Sequence, residues 1–347
     1  MKKYLTLPFA FLLFFLFSTT VSANDFVVKP TFSQKQRDLT KSYFYESANP
    51  GEKKQFSIQI KNENEIQSTF IIRPTDAFSN PFSFMEYSNE ERTSYSRFLD
   101  ERYRFTRLFN EEKIFKMNPG ETKNILFEAT IPKDLKVGQI LGAFQVEEIM
   151  ENEKTKIDSS KEATFDVHIK KRFTIGVLLN ITEPQNHNVV IENVEAKIDG
   201  KLPKIFIQIH NKDPFIVDNL EVTYKVYSKY NRLLFEKKEP VFSLAPSTTL
   251  NLPLKWLYKD FKAGDYRIEA SLSSTNDKDF YVKYKNDFSI SQVVVNEFVD
   301  TTETEPFFLP KGVERFPLIY FNIAIFVIVG VIYYWKRKRN KRKEKDA

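Results

Sequence analysis

"FSIQIKN" (Phe56–Asn62) sets Phe56, Ile58 and Ile60 on one side of the chain and Ser57, Gln59 and Lys61 on the other, and it ends on an asparagine. A step of two is the spacing of a half-buried β-strand. The same step recurs in Ile125, Phe127, Ala129 and Ile131, then in Ile205, Ile207 and Ile209. It continues through Leu220 to Val226, through Tyr266 to Leu272, and in Phe280, Val282 and Tyr284. Helical spacing is nearly absent, so the chain reads as all-β. The exception is residues 89–110, where Phe98, Leu99, Tyr103 and Phe109 predict one amphipathic helix between strands.

Three short matches recur in the same order in both halves. "IQIKN" (Ile58–Asn62) is echoed by "IQIHN" (Ile207–Asn211), "PGETKN" (Pro119–Asn124) by "PSTTLN" (Pro246–Asn251), and "LKVGQ" (Leu135–Gln139) by "FKAGD" (Phe261–Asp265). The proline lies nineteen residues before the glycine in one half and eighteen in the other. Order and spacing together point to two related domains. A short amide at Asn62 and Asn211 can bond its own backbone and turn the chain, Pro119-Gly120 and Pro246-Ser247 open turns, and Gly138 and Gly264 suit positive φ. The expected architecture is two tandem immunoglobulin-like β-sandwiches, residues 24–170 and 171–295, joined near "KKRFTIG" (Lys170–Gly176) with little hinge freedom.

The ends predict placement. "MKK", an apolar "LPFAFLLFFLF" and Val21-Ser22-Ala23 form a cleavable signal peptide over residues 1–23. Residues 316–335, "FPLIYFNIAIFVIVGVIYYW", carry no formal charge over twenty positions, enough for a helix to cross a bilayer core of about 30 Å. Eight Lys or Arg crowd the last twelve residues, and Lys336, Arg337, Lys338 and Arg339 act as the stop-transfer signal that keeps the tail in the cytoplasm. This predicts a single-pass membrane protein with its domains outside and residues 296–315 as a polar stalk. The overall net charge is +6, but the tail carries +6 and the leader +2, so the exported part sums to −2. That removes the case for a nucleic-acid partner. The absence of cysteine in about 290 exported residues leans towards a bacterial surface and leaves the sandwiches to packing alone, which the 34 Phe of the whole chain, leader and tail included, make plausible.

Catalytic patterns are missing. Without cysteine there is no thiol nucleophile or thiolate metal site, and His168, His187 and His210 are scattered singly, His168 and His210 on the solvated phase of their strands. No G-x-S-x-G, H-E-x-x-H, P-loop or G-x-G-x-x-G occurs, and no metal site or cofactor is expected. "STNDKDF" (Ser274–Phe280) reads as a turn, and the sequon Asn180-Ile181-Thr182 carries little weight.

"FVVKPTFSQKQ" (Phe26–Gln36), "SYFYESANPGEKKQFSIQIKN" (Ser42–Asn62), "MEYS" (Met85–Ser88), "IP" (Ile131-Pro132) and "VGQILGAFQV" (Val137–Val146) resemble the first domain of the WxL-interacting proteins of Gram-positive bacteria. "KIFIQIHNKD", "FSLAPSTTLNLPL", "FKAGDYRIEASLSS" and "DFSIS" resemble that family's second domain. The resemblance implies a surface adaptor whose first domain is associated with peptidoglycan, whose second is associated with host ligands such as an extracellular-matrix protein, and which assembles with secreted W-x-L proteins. Trp256 is followed by Leu257-Tyr258 and Trp335 by Lys336-Arg337, so this chain stands on the receptor side. Ala143 departs from the family's frequent second glycine after Gly142, which bears on glycan binding if that glycine admits a ligand; alternatively the pair only shapes a strand bend. Tyr43 and Tyr45, beside Pro50-Gly51, either stack on a sugar or point into the core. The competing function is a wall-acting hydrolase with an unrecognised carboxylate pair, which predicts turnover. A third, an inward sensor, needs a membrane partner because the tail holds no domain.

Overall fold

The computed structural model describes residues 26–303 except 83–84, 110, 150–170, 184–186 and 258–260. The signal peptide, the span at 316–335, Lys336 to Arg339 and His168 lie outside the described residues. Among those described, no helix is long and apolar enough to cross a membrane.

The first half contributes β1 (Phe26–Thr31), β2 (Phe44–Ser47), β3 (Lys53–Asn62), β4 (Ser68–Phe78), β5 (Glu86–Ser88), β6 (Ser96–Phe98), β7 (Lys113–Met117), β8 (Thr122–Thr130) and β9 (Gln139–Ile149). After it come β10 (Arg172–Asn180), β11 (Val189–Asp199), β12 (Leu202–Asn211), β13 (Val217–Ser228), β14 (Leu233–Lys238), β15 (Phe242–Leu244), β16 (Thr248–Lys255), β17 (Gly264–Ser274) and β18 (Tyr281–Ile290). They form two β-sandwiches. In the first, β1-β3-β8 faces β2-β10-β9-β4-β5, with β7 also paired to β4; in the second, β11-β12-β16-β6 faces β14-β13-β17-β18, with β15 also on β13.

The alternation sorts as the spacing demands. Phe56, Ile58 and Ile60 are fully buried, as are Ile205, Ile207 and Ile209 in the second sandwich. The first core is built of phenylalanine: Phe127 and Phe144 rings lie 4.6 Å apart, Phe105 and Phe109 4.9 Å, and Phe56 and Phe144 5.7 Å. Each buried ring removes apolar surface worth roughly 1.5–3 kcal/mol from water, and each edge or tilted contact adds about 0.5–1.5 kcal/mol. That is how the sandwich holds without a disulfide.

The repeat has a physical basis at its asparagines. Both Asn62 and Asn211 are fully buried. Asn62 Nδ2 donates to the carbonyls of Ile66 and Met117, each at 3.1 Å, and Asn211 Nδ2 to those of Phe215 and Ala245 at 2.7 and 2.9 Å. Each amide therefore pins the turn after its own strand to the turn ahead of the P-x-x-T segment. In those turns Gly120 (φ 72°) and Ser247 (φ 51°) both take the left-handed conformation.

Three features differ from the sequence expectation. Residues 89–110 form no α-helix but hold β6 and two 3-10 turns, Glu101–Tyr103 and Phe105–Leu108. Buried Asp76 takes the Arg104 guanidinium and the Thr106 N–H and hydroxyl, each at 2.8 Å, which fixes the segment across the sheet instead of letting it coil. Phe98 then packs on Phe78, Phe109 enters the first core, and Leu99 faces solvent. Second, β10, expected to open the second domain, pairs antiparallel with β9 and parallel with β2, and its Ile175, Val177 and Leu179 join the first core. Third, the strands end at Ile290, and Gln292–Glu303 form a helix, α1, where the end of the second domain and the start of the stalk were expected.

The sandwiches interlock. β6, from the first half, adds to the edge of β16 through Thr248–Leu250. Gln139 N–H donates to Pro214 O at 2.7 Å, and Ser79 and Thr248 hydroxyls meet at 2.7 Å. Both sandwiches belong to one compact unit that extends to Val294.

Candidate functional site

Phe44 decides where its neighbours point. Its ring is buried against Phe32 and Phe56, so Tyr43 and Tyr45, one step to either side, fall on the outer face of the sheet. Both are half-buried, with ring centroids 6.3 Å apart. β2 is an edge strand, and buried Gln36 clips its outer side: Nε2 donates to Tyr43 O at 2.9 Å and Oε1 accepts from Tyr45 N at 2.9 Å. The Arg37 guanidinium lies 4.9 Å from the Tyr45 ring centroid and 2.8 Å from Glu183.

The floor beside these rings is made of small residues. A side chain at Gly176 would meet Tyr43 Cβ at 3.4 Å and Tyr87 Oη at 3.7 Å. Gly176 pairs with Ala143, and Ala143 with Thr75. Tyr87, on the three-residue strand β5, reaches the same floor from the opposite edge of the sheet. Burial pushes the Tyr43 phenol above its ordinary pKa, with Tyr45, Asp38 and Asp218 adding to the effect. Burial does the same for Tyr87, reinforced by Tyr43. Both phenols therefore stay neutral donors at physiological pH. Three tyrosines around a flat, small-residue floor form a face suited to sugars, since the electron-rich ring faces attract the weakly positive C–H side of a pyranose and the hydroxyls bond its rim.

Gly142 does not join them. A Cβ there would lie 2.3 Å from Phe105 Cβ, so the glycine admits a core ring rather than a ligand, and it faces away from the tyrosines. Ala143, the residue that departs from the resemblance, is fully buried beneath the outer face. Tyr87 falls in the "MEYS" stretch of the resemblance, but alternation does not single it out, because a strand of three residues has too little to read.

The face is tied to the second sandwich. Asn180 Nδ2 lies 3.5 Å from Tyr45 Oη, Gln139 Nε2 donates to Asn180 Oδ1 at 3.0 Å, and Gln139 Oε1 accepts from Ile216 N at 2.9 Å. Buried in this chain of bonds, Asn180 is no glycosylation acceptor. His210 sits on the outward phase as expected but is largely covered, with Nδ1 3.3 Å from Glu192 and Nε2 buried without a partner. Burial lowers its pKa, partly offset by Glu192. Ser274 Oγ takes the Asn276 N–H at 3.2 Å, closing the turn expected there. Among the described residues no group of acidic or histidine side chains could hold a metal ion.

A family model described as "WxL Interacting Protein, peptidoglycan binding domain" matches residues 26–148, and one described as "WxL Interacting Protein, host binding domain" matches residues 162–298. The tyrosine pair lies within the first match, and β10, which completes the first sheet, within the second. Curated protein sequences give no match. Among solved structures, the chain is similar to a chaperone-tip adhesin complex of CFA/I fimbriae at 9% identity and TM-score 0.30, covering 76% of this chain and 99% of that chain. It is similar to the class 5 fimbrial chaperone CfaA at 8% identity and TM-score 0.27, covering 70% and 95%. The E. coli chaperone DraB matches at 10% identity and TM-score 0.23, covering 70% and 90%. Structural likeness at these scores carries no argument, whereas the two family models span both sandwiches in order. They are models of binding domains, one for peptidoglycan and one for host ligands, and on them rests the conclusion that this chain belongs to the WxL-interacting protein family.

Proposed function

We propose that this protein is a non-enzymatic, membrane-anchored scaffold that holds cell-wall glycan on the tyrosine face of its first sandwich and takes secreted W-x-L proteins as partners. Host ligands, such as an extracellular-matrix protein, are the expected cargo of the second sandwich, and we read both sandwiches as immunoglobulin-type. The observation that carries the proposal is the grouping of Tyr43, Tyr45 and Tyr87 on one outer face, within and beside the peptidoglycan-binding match. The signal peptide and the charge-free run at 316–335, followed by Lys336 to Arg339, support export and anchoring with the tail inside.

Co-sedimentation of the detergent-solubilised chain with purified cell walls, with and without a W-x-L protein, tests this reading. Pelleting without sugar release is expected. Soluble sugar appearing over time would overturn it in favour of a hydrolase.

A further inference from the structure

β5 has two faces. Tyr87 turns to the tyrosine floor, while Glu86 and Ser88 line a separate cleft of about 800 Å³ between the 86–97 segment and the outer face of the second sandwich. That volume is within the range of small-ligand sites. Its lining holds Arg92 and Arg97, Glu86 and Glu90, and the amides of Gln208 and Asn251, with Gln208 Nε2 bonded to Asn251 Oδ1 at 3.2 Å.

The two arginines are the informative feature. Arg92 and Arg97 are cross-strand partners on a tight hairpin, closed by Thr93 N–H to Ser96 O at 2.8 Å. Like charges placed directly opposite repel. Neither guanidinium has an ion pair or hydrogen bond among the described residues, although Glu86 and Glu90 share the cleft. Two exposed guanidiniums on bridge-partner residues that line one polar cleft can be gripped together by an anion, and a carboxylate matches that fork geometry. The glutamates supply the opposite sign for an ammonium group. No aromatic side chain lines the cleft to stack on a sugar face.

We propose that this cleft binds a short peptide bearing both a free carboxylate and an ammonium group: the peptide portion of the wall polymer, whose glycan portion takes the tyrosine face. The choice of peptide rests on the glycan reading; the charge pattern of the cleft stands without it.

The test is calorimetric titration of the full chain in detergent with four probes: a lysine-containing stem pentapeptide ending in a free D-alanine carboxylate, the same peptide amidated at that end, a peptide-free glycan oligomer and a glycerol-phosphate oligomer. The free pentapeptide should bind, and amidation should weaken it at least about tenfold, as loss of a charge-assisted contact requires. The R92Q/R97Q double variant should show the same loss for the free peptide and unchanged affinity for the glycan. The amidated probe needs no substitution, so it decides the matter even if the variant misfolds. Equal affinity for both peptides, no peptide binding by the unaltered chain, or preference for a glycerol-phosphate oligomer would overturn the proposal. Peptide binding with no glycan binding would uphold the cleft and remove the tyrosine reading.

Discussion

Gln139 accepts the backbone N–H of Ile216 on its Oε1 at 2.9 Å, so a side chain of the first sandwich completes the hydrogen bonding of the second. Its Nε2 meanwhile donates to Asn180. Because Gln139 is buried, Gln139→Leu would leave the Ile216 N–H and one Asn180 oxygen unmatched, at a cost of about 1–3 kcal/mol for each orphaned group. Urea denaturation should show the midpoint falling with the slope unchanged. No fall would mean that the junction carries little stability.

The shared strands imply shared cooperativity. With β6 of the first half seated on β16, and Gln139 and Ser79 bonded to the second sandwich, neither sandwich can open without breaking the other's contacts. Differential scanning calorimetry should give one transition for residues 26–290, with calorimetric and van't Hoff enthalpies in agreement. Two well-separated transitions would contradict the interlock.

At Gly142 the expected effect is on stability and not on ligand affinity. The Cβ of Gly142→Ala would overlap Phe105, whose ring belongs to the first core, and relief requires shifting a buried aromatic at a cost of about 1–3 kcal/mol. Thermal melting should report the loss. A variant of unchanged stability that had lost wall binding would put Gly142 back among the ligand contacts.

A buried cation sets a pH dependence. Lys54 is almost fully enclosed, 3.2 Å from both Glu46 and Glu52, and Glu52 also pairs with Lys35 at 2.8 Å. Burial works to raise the Glu52 pKa, but the bonds from Lys35, Asn49 and Lys54 outweigh it and hold the group at about 2, below the usual 4.5. A carboxylate with a depressed folded pKa contributes stability above its unfolded value, lost as pH falls through the folded one, here from about 4.5 towards 2. Glu52→Gln should lower stability at neutral pH and flatten its fall with acid across that window. An unchanged pH slope in urea titrations would contradict this.

Why some of this was legible and some not follows from what is local. The asparagine-ended strands and the two P-x-x-T turns were readable because alternation and turn chemistry are written within a few residues. That Tyr43 and Tyr45 share a face was equally plain. Which face was not, since Phe44 between them is as apolar as either and parity alone does not say which side is core. β10 alternates identically whichever sandwich it joins, and although β9 precedes it directly, its other partner, β2, is far away in sequence. At 89–110 an apolar spacing compatible with a helix was overridden by one buried carboxylate, Asp76, distant in the chain.

The central claim is that the tyrosine face holds the wall. The most direct test is co-sedimentation with purified walls of the full chain carrying Tyr43→Ala and Tyr45→Ala, beside Tyr45→Phe as a variant that keeps the ring and loses the hydroxyl. Loss of stacking on two rings should reduce pelleting by at least about tenfold, at roughly 1.4 kcal/mol per tenfold, while Tyr45→Phe retains most of it. Full pelleting by the double alanine variant, with its melting temperature unchanged, would contradict the assignment.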